Sequence, residues 1–438
     1  MINTKTLLHI DNVLIDTRNY YDLQVYSAIN DHLPILTFKL RDDTGLYWSS
    51  LDFSIGSTVI VTYIDTDSED NSVIGYNTTK FIISSLYDGF EVNNVATMGG
   101  FVQVTCTQAW TFYGDSLPHA YNCQKIGDLV KSICRNVRSE AGLVVNDENF
   151  MTTSDSGSIK YKTMSSDLEF IVQKLLPVTM VDSSNALFYV NKAGVVHLTG
   201  FNTAYAKIEK AIICPDISGT PAASSALSAL KESKNLDVHM EYLSISSSIA
   251  PNPNVIGQLK QKTYIYDLQN ESTKIGIQSP SMTVGKDAGK LKKAYTPIKN
   301  TIIDNVTSTS NFYIANRPFE EQIALSRNML ISTNNLLSVE VYVATFMPNV
   351  NIGDTVFLWI PPAQMVKGDA ETSTGAAELT EDRKTHWLVG KWLISSEAVM
   401  TVAQGSVAVR YTLIRPSFSI EPEKTSLSDV KSFFKVKG

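Results

Sequence analysis

Ile352-Gly353-Asp354-Thr355-Val356-Phe357-Leu358 repeats a pattern that stands earlier in the same 438-residue chain as Ile55-Gly56-Ser57-Thr58-Val59-Ile60-Val61. In both, a glycine suited to a positive φ opens a tight turn, and alternating β-branched or apolar residues then run into a strand. Taken alone the motif is common. Its weight comes from what surrounds it. A strand-like segment precedes each copy, Leu33 to Leu40 in the first and Leu336 to Thr345 in the second. A further strand follows, read as Phe81-Ile82-Ile83 and as Trp387-Leu388-Val389. The last begins 20 residues later in both, at Phe101 after Gly100 and at Val407 after Gly405. The later copy carries a longer loop, Gln364 to Thr385, of a kind a surface hairpin tolerates. The expectation is a mainly β protein in which a small β-barrel is duplicated, with Gly56 and Gly353 as the structural repeat turns.

Between the copies the period changes. Apolar residues at Ile126, Leu129, Val130, Ile133, Cys134 and Val137 form one helical stripe, with Asn122 as a candidate cap. Ser166 with Glu169 makes a capping box for a second helix bearing Leu168, Ile171, Val172, Leu175 and Leu176, which Pro177 ends. Strands return at Ala186 to Val190 and Val195 to Leu198, around a turn at Lys192 to Gly194. The expected domains are a first tube-like barrel over 1–114, an inserted α+β domain over 115–200, and the main part of a second barrel over 336–416. Residues 201–335 are expected to hold a linker near Gly219 to Ala229, part of the second barrel from the alternating Leu236 to Ile245, an irregular region over 251–315 and one helix over Pro318 to Ile331. A tail follows over 417–438. Three copies of such a chain would present six similar units, a three-fold object with a quasi-six-fold face.

Composition agrees with strands. Ser 45, Thr 38 and Asn 28 fill about a quarter of the chain while charged residues reach only 18%, which favours sheets and turns over helix surfaces. A net charge of -7 excludes wholesale neutralisation of nucleic acid. Cys106, Cys123, Cys134 and Cys214 follow no framework spacing and read as small buried apolar groups of a protein made in a reducing compartment. Asp11 and Asp16 interrupt the N-terminal apolar pattern, against a cleaved leader, and no apolar run reaches the ~20 residues of a membrane span.

The segment Leu337 to Val343 followed by Asn351-Ile352-Gly353-Asp354-Thr355-Val356, then His386-Trp387-Leu388-Val389-Gly390-Lys391-Trp392 and Val409-Arg410-Tyr411-Thr412-Leu413-Ile414-Arg415, resembles the second barrel of a known family. Together with Asp167-Leu168-Glu169-Phe170 in the inserted region, the chain is similar to the baseplate hub proteins of contractile-tailed bacteriophages and to the hub part of type VI secretion spike proteins. The resemblance implies a non-enzymatic homotrimer, a symmetry adapter in the virion tail baseplate, assembled after synthesis in the host cytoplasm. Its partners would be the tail tube or a distal tube protein on one face and a trimeric central spike protein on the other. DNA would pass through the channel without sequence-specific contact.

Other motifs weigh less. Asp65 to Tyr76 places acids as a calcium loop does, but Asp70 and Tyr76 stand where Gly and Glu belong, so a solvated hairpin tip is expected. Gly285 to Lys290 departs from a phosphate loop in glycine spacing, and Leu291 replaces the magnesium-binding hydroxyl. Lys286, Lys290, Lys292 and Lys293 are nevertheless a candidate basic contact loop in an acidic chain. The six histidines lack zinc spacing, and His119 near Cys123 is a poor nucleophile pair, so no metal, cofactor or catalytic residue is expected. Trp387 and Trp392, and Phe433 with Phe434 in the lysine-flanked tail, are candidate interface residues. Two other functional classes remain open at this point. One is a tail-associated cell-wall hydrolase, which needs a carboxylate pair or metal cleft. The other is a peripheral carbohydrate- or receptor-binding tail protein using the tryptophans.

Overall fold

Both glycine turns form, and they form alike. The computed structural model describes residues 2–41, 53–67, 73–94, 97–111, 115–123, 125–153, 158–181, 184–218, 220–236, 238–248, 261–267, 272–278, 309–315, 337–344, 346–361, 388–401 and 407–415. Gly56 has φ +97° and Gly353 φ +78°. Gly56 N donates to Ile83 O (2.9 Å) and Ile83 N returns a bond to Ser57 O (3.0 Å). Gly353 N donates to Ile394 O (2.9 Å) and Ile394 N to Asp354 O (2.9 Å). The side chain after each glycine closes the turn: Ser54 N donates to Ser57 Oγ (3.0 Å), and Asn351 N to Asp354 Oδ2 (3.1 Å).

The strands around these turns match one another in order. The first copy comprises β1 (Ile2–Ile10), β2 (Val13–Ile15), β3 (Tyr20–Ala28), β4 (Ile35–Arg41), β5 (Thr58–Asp67), β6 (Val73–Asn94) and β7 (Thr97–Gln108). Period-2 burial is clean: Leu36, Phe38 and Leu40, Val59 and Val61, and Val102, Val104 and Cys106 all face the core. The inserted region holds β8 (His119–Cys123), α1 (Ile126–Ala141), β9 (Ser158–Lys162), α2 (Asp167–Phe170, continuing as a wider π turn over Ile171–Leu175), β10 (Met180–Val181), β11 (Ser184–Val190), β12 (Val196–Gly200) and α3 (Phe201–Ala206). The second copy adds β13 (Glu209–Pro215), α4 (Pro221–Lys234), β14 (His239–Ser248), β18 (Leu337–Val343), β19 (Thr355–Leu358), β20 (Gly390–Thr401) and β21 (Val407–Arg415). β15 (Gln261–Asp267), β16 (Ser272–Gln278) and β17 (Thr309–Ala315) make a separate small sheet between β14 and β18.

Strand order is β1-β5-β6-β7-β4-β3 in the first copy and β13-β19-β20-β21-β18-β14 in the second. β13 pairs with both β14 and β19, which closes the second copy as a six-stranded barrel. In the first, β1 and β3 meet through the Tyr20 hydroxyl donating to Thr6 O (3.2 Å), with no ladder between them among the described residues. One apolar core runs through both copies, and Tyr63 meets Phe346 with ring centroids 5.0 Å apart.

The equivalence also corrects the reading of the third strand. Ile82-Ile83-Ser84-Ser85 corresponds to Leu393-Ile394-Ser395-Ser396, not to a segment at Trp387. Each carries a β-bulge at the first serine. Ser84 Oγ donates to Thr105 O (3.0 Å), and Ser395 Oγ donates to Thr412 O (3.0 Å).

The inserted region is a wedge against both copies. β11 is apolar from Ala186 to Val190 because both its faces are covered there. Leu187 and Tyr189 join the core of the barrels, while Ala186, Phe188 and Val190 join the core beneath α1, packed on Ile126, Leu129, Val130, Ile133 and Cys134. α1 starts at Ile126 after Lys125, so Asn122, placed in β8, does not cap it. Ser166 does cap α2, accepting from Glu169 N at 3.2 Å. The turn after β11 inserts Lys192, whose Nζ donates to Val350 O (2.5 Å) and to Glu397 Oε2 (3.1 Å), all fully buried, while Thr79 of β6 donates to the Lys192 carbonyl. Burial holds the Glu397 carboxyl above its ordinary range even with that ammonium beside it.

The stretch near Gly219 to Ala229, expected as a linker, is largely α4. Pro221 sits in its first turn, and its thin stripe of Ala223, Leu227 and Leu230 packs on Ile212, Cys214, Trp359 and Val389. The region 251–315, read as irregular, contains the three strands β15 to β17. The helix expected over Pro318 to Ile331 lies outside the described residues, as does the tail 417–438.

Candidate assembly and channel face

Beyond its bulge, β20 keeps β21 on one side and exchanges β19 for β3 of the first copy on the other, Ser396 opposite Ala28, Ala398 opposite Tyr26 and Met400 opposite Gln24. That ladder fuses four strands of each copy into one sheet, β14-β18-β21-β20-β3-β4-β7-β6. One face of this sheet supplies the shared apolar core. Because alternate residues point to opposite faces, the registers define what the other face presents.

Its rows are polar. Ser85, Thr105, Thr37 and Gln24 stand side by side on β6, β7, β4 and β3. Ser396, Thr412, Glu340 and Ser246 form the matching row of the second copy. Tyr87, Gln103, Lys39 and Tyr21 form the next row of the first copy. The charged side chains on this face include Lys39, Arg41, Glu340 and the exposed Arg410, which stands between Ala398 and Tyr342, and some of them are masked. Lys39 Nζ lies 3.1 Å from Asp22 and over the rings of Tyr21 (5.4 Å) and Phe101 (4.9 Å), and Arg41 lies over Tyr21 at 5.7 Å. Glu340 sits among neutral neighbours in its row.

Of the residues singled out in the sequence, Gly56 and Gly353 occupy the two turns as expected. Gly353 is also a point of close approach. A Cβ there would stand 1.8 Å from the Tyr189 hydroxyl, whereas at Gly56 nothing lies within 4 Å. Trp392, expected at an interface, is instead fully buried in the chain's own core. Its Nε1 donates to Leu388 O (2.8 Å) and the Arg415 guanidinium lies 4.2 Å from its ring. Burial lowers Arg415 to a pKa of about 10. Trp387, Phe433, Phe434, Lys286, Lys290, Lys292 and Lys293 lie outside the described residues. Asp65 turns inward, accepting from Thr4 Oγ1 at 2.7 Å, and burial raises its pKa. Cys106, Cys134 and Cys214 are buried free thiols pushed well up by desolvation, far from nucleophile behaviour. Among the described residues no three His, Cys, Asp or Glu side chains gather as metal ligands, and no helix is long and apolar enough to cross a membrane.

The serine bulges and the Lys192–Glu397 pair escaped the sequence reading. The bulges do have a signal, the repeated Ile-Ser-Ser at 83–85 and 394–396, which the neighbouring apolar residues outweigh. The ion pair had none, since its members are 205 positions apart.

No family model matches the chain, and no curated protein matches it in sequence. Solved structures match its fold. A tail protein from Neisseria meningitidis MC58 superposes at TM-score 0.52 with 8% identity, over 95% of this chain and 98% of that one. The 43 kDa tail protein of prophage MuSo2 from Shewanella oneidensis superposes at TM-score 0.50 with 10% identity, over 94% of this chain and 98% of that one. The chain therefore has the fold of phage tail proteins, the class that the order of its elements resembles.

Proposed function

We propose that this chain is a structural baseplate hub of a phage-type tail, without catalytic activity. Three copies form a ring whose six related barrels match a six-fold tail tube on one side and a trimeric central spike on the other. Its site of action is the virion tail, and DNA passes through the ring without sequence-specific contact. The observation that carries this reading is the fusion of two like barrels, through β20 and β3, into one sheet with a polar and sparsely charged face. Two quasi-equivalent units per chain are what a three-fold object needs to meet a six-fold one. The coarse resemblance to tail proteins supports the same role at the level of fold.

Native mass spectrometry and light scattering test the reading, with negative-stain images of the assembled material. Trimers and rings with three-fold or pseudo-six-fold symmetry are the expected result. A chain that stays monomeric at its highest soluble concentration, and in the presence of tube and spike preparations, overturns it.

A further inference from the structure

Where the two barrels and the inserted region meet, the core holds polar atoms that no other group of the chain satisfies. Glu397 of β20 is fully buried, and the strand register sets its neighbours: Tyr411 of β21 stands opposite it on one side and Ser27 of β3 on the other. Residues directly opposite keep their Cβ atoms about 4.5–5.5 Å apart, so these three side chains enter the core together. Tyr63 of β5 reaches the same place from the first copy. Its ring packs on Phe346 with centroids 5.0 Å apart, and the Lys192 ammonium lies 4.9 Å from that Phe346 ring and 3.1 Å from Glu397 Oε2. The other carboxylate oxygen, Oε1, has no hydrogen-bond partner, and neither do the Tyr63 and Tyr411 hydroxyls or Ser27 Oγ. All four atoms are shut off from solvent. Folded proteins seldom leave such groups bare, because each one then carries the full cost of its desolvation.

We infer that this joint is a binding site for internal water, which bridges Glu397 Oε1 to the hydroxyls of Tyr63, Tyr411 and Ser27. The chemistry of the site selects water over other small occupants. The Lys192 ammonium repels a metal cation, the Glu397 carboxylate repels an anion, and an apolar molecule leaves all four atoms as bare as before. Water donates to the carboxylate oxygen while it accepts from a hydroxyl, and a buried water makes about three such bonds. Burial first, and then the Glu397 charge, hold both phenols well above their ordinary range, so each keeps the proton it donates. The bridge extends the Lys192–Glu397 pair into a network with one tyrosine from each barrel. It is a property of the single chain and stands or falls independently of the hub reading.

A crystal structure of the full chain, at a resolution that shows ordered solvent, tests the site directly. Density is expected for water within hydrogen-bond distance of Glu397 Oε1 and of at least one of the three hydroxyls. Tyr63→Phe and Tyr411→Phe give a second reading through the sign of their effect. A hydroxyl that bonds water is missed when removed, so the urea midpoint of each variant is expected to fall. A hydroxyl with no partner at all only burdens the core, and its removal raises the midpoint. Oxygen-17 relaxation dispersion in solution is expected to count fewer long-lived waters in each variant than in the unaltered chain. Midpoints that rise overturn the inference. So does a joint that closes dry, with Tyr411 or Ser27 donating straight to Glu397 Oε1 and no water density beside them. If neither variant folds, the density and the water count of the unaltered chain decide, and a chain without a long-lived water at this joint overturns the inference.

Discussion

Gly56 and Gly353 hold the same backbone shape for the same hydrogen bonds, yet they differ in what surrounds them. Each needs a left-handed φ that costs a residue with a Cβ about 1–2 kcal/mol. Only Gly353 is also pressed by the inserted region, through Tyr189. Gly56→Ala is therefore expected to cost about 1–2 kcal/mol, and Gly353→Ala to add an overpacking cost of about 1–3 kcal/mol. Urea unfolding of the two variants side by side checks the ordering. Equal losses would mean that Tyr189 yields without strain. The same tyrosine stacks on His197 with centroids 4.9 Å apart. Burial, and then the Lys207 charge, lower that imidazole to a pKa of about 4, so it packs as a neutral ring at ordinary pH.

At the scale of elements, the serine bulge allows one strand to serve two sheets. β6 and β20 each bend there, and the following residues are free to take a new neighbour. Ser84→Ala and Ser395→Ala each remove one hydrogen bond to a facing carbonyl and leave the register intact. A loss of about 1 kcal/mol apiece is expected, adding in the double variant because the sites lie in different barrels. Chemical denaturation of the three variants measures it. Where strands alternate cleanly, as in β4, β5, β7 and β18, their place was legible in the sequence, since period-2 burial writes itself into residue type. The third strand is not legible in this way, because β20 begins at Gly390 and its bulge alters the spacing, while apolar Trp387-Leu388-Val389 matches Phe81-Ile82-Ile83 in residue type alone. α4 is hidden because Ser and Ala serve a helix surface as readily as a linker, and its contact with the core is thin: Ala223, Leu227 and Leu230, with Ala226 beside them. Trp392 misled in another way, for aromatic content marks cores and interfaces equally.

Across the whole molecule, Lys192 joins three parts. Its carbonyl accepts from the first copy at Thr79, its backbone belongs to the inserted region, and its ammonium ends on Val350 and Glu397 of the second copy. No sequence pattern announces such a pin, because its members meet only once the parts have docked. Lys192→Met leaves Glu397 buried without its cation and is expected to cost about 3–5 kcal/mol. Lys192→Met/Glu397→Leu is expected to recover most of that loss, since neither charge then remains in the core. Thermal and urea unfolding of both variants decides the matter, and a double variant no more stable than the single would show that packing, not charge, is what Lys192 supplies.

The short ladder between β20 and β3 has a mechanical side as well. A pull along those strands loads every bond from Ser396 to Met400 together, whereas a pull across them opens the bonds one at a time. The junction between the barrels is thus stiff in one direction and yielding in another.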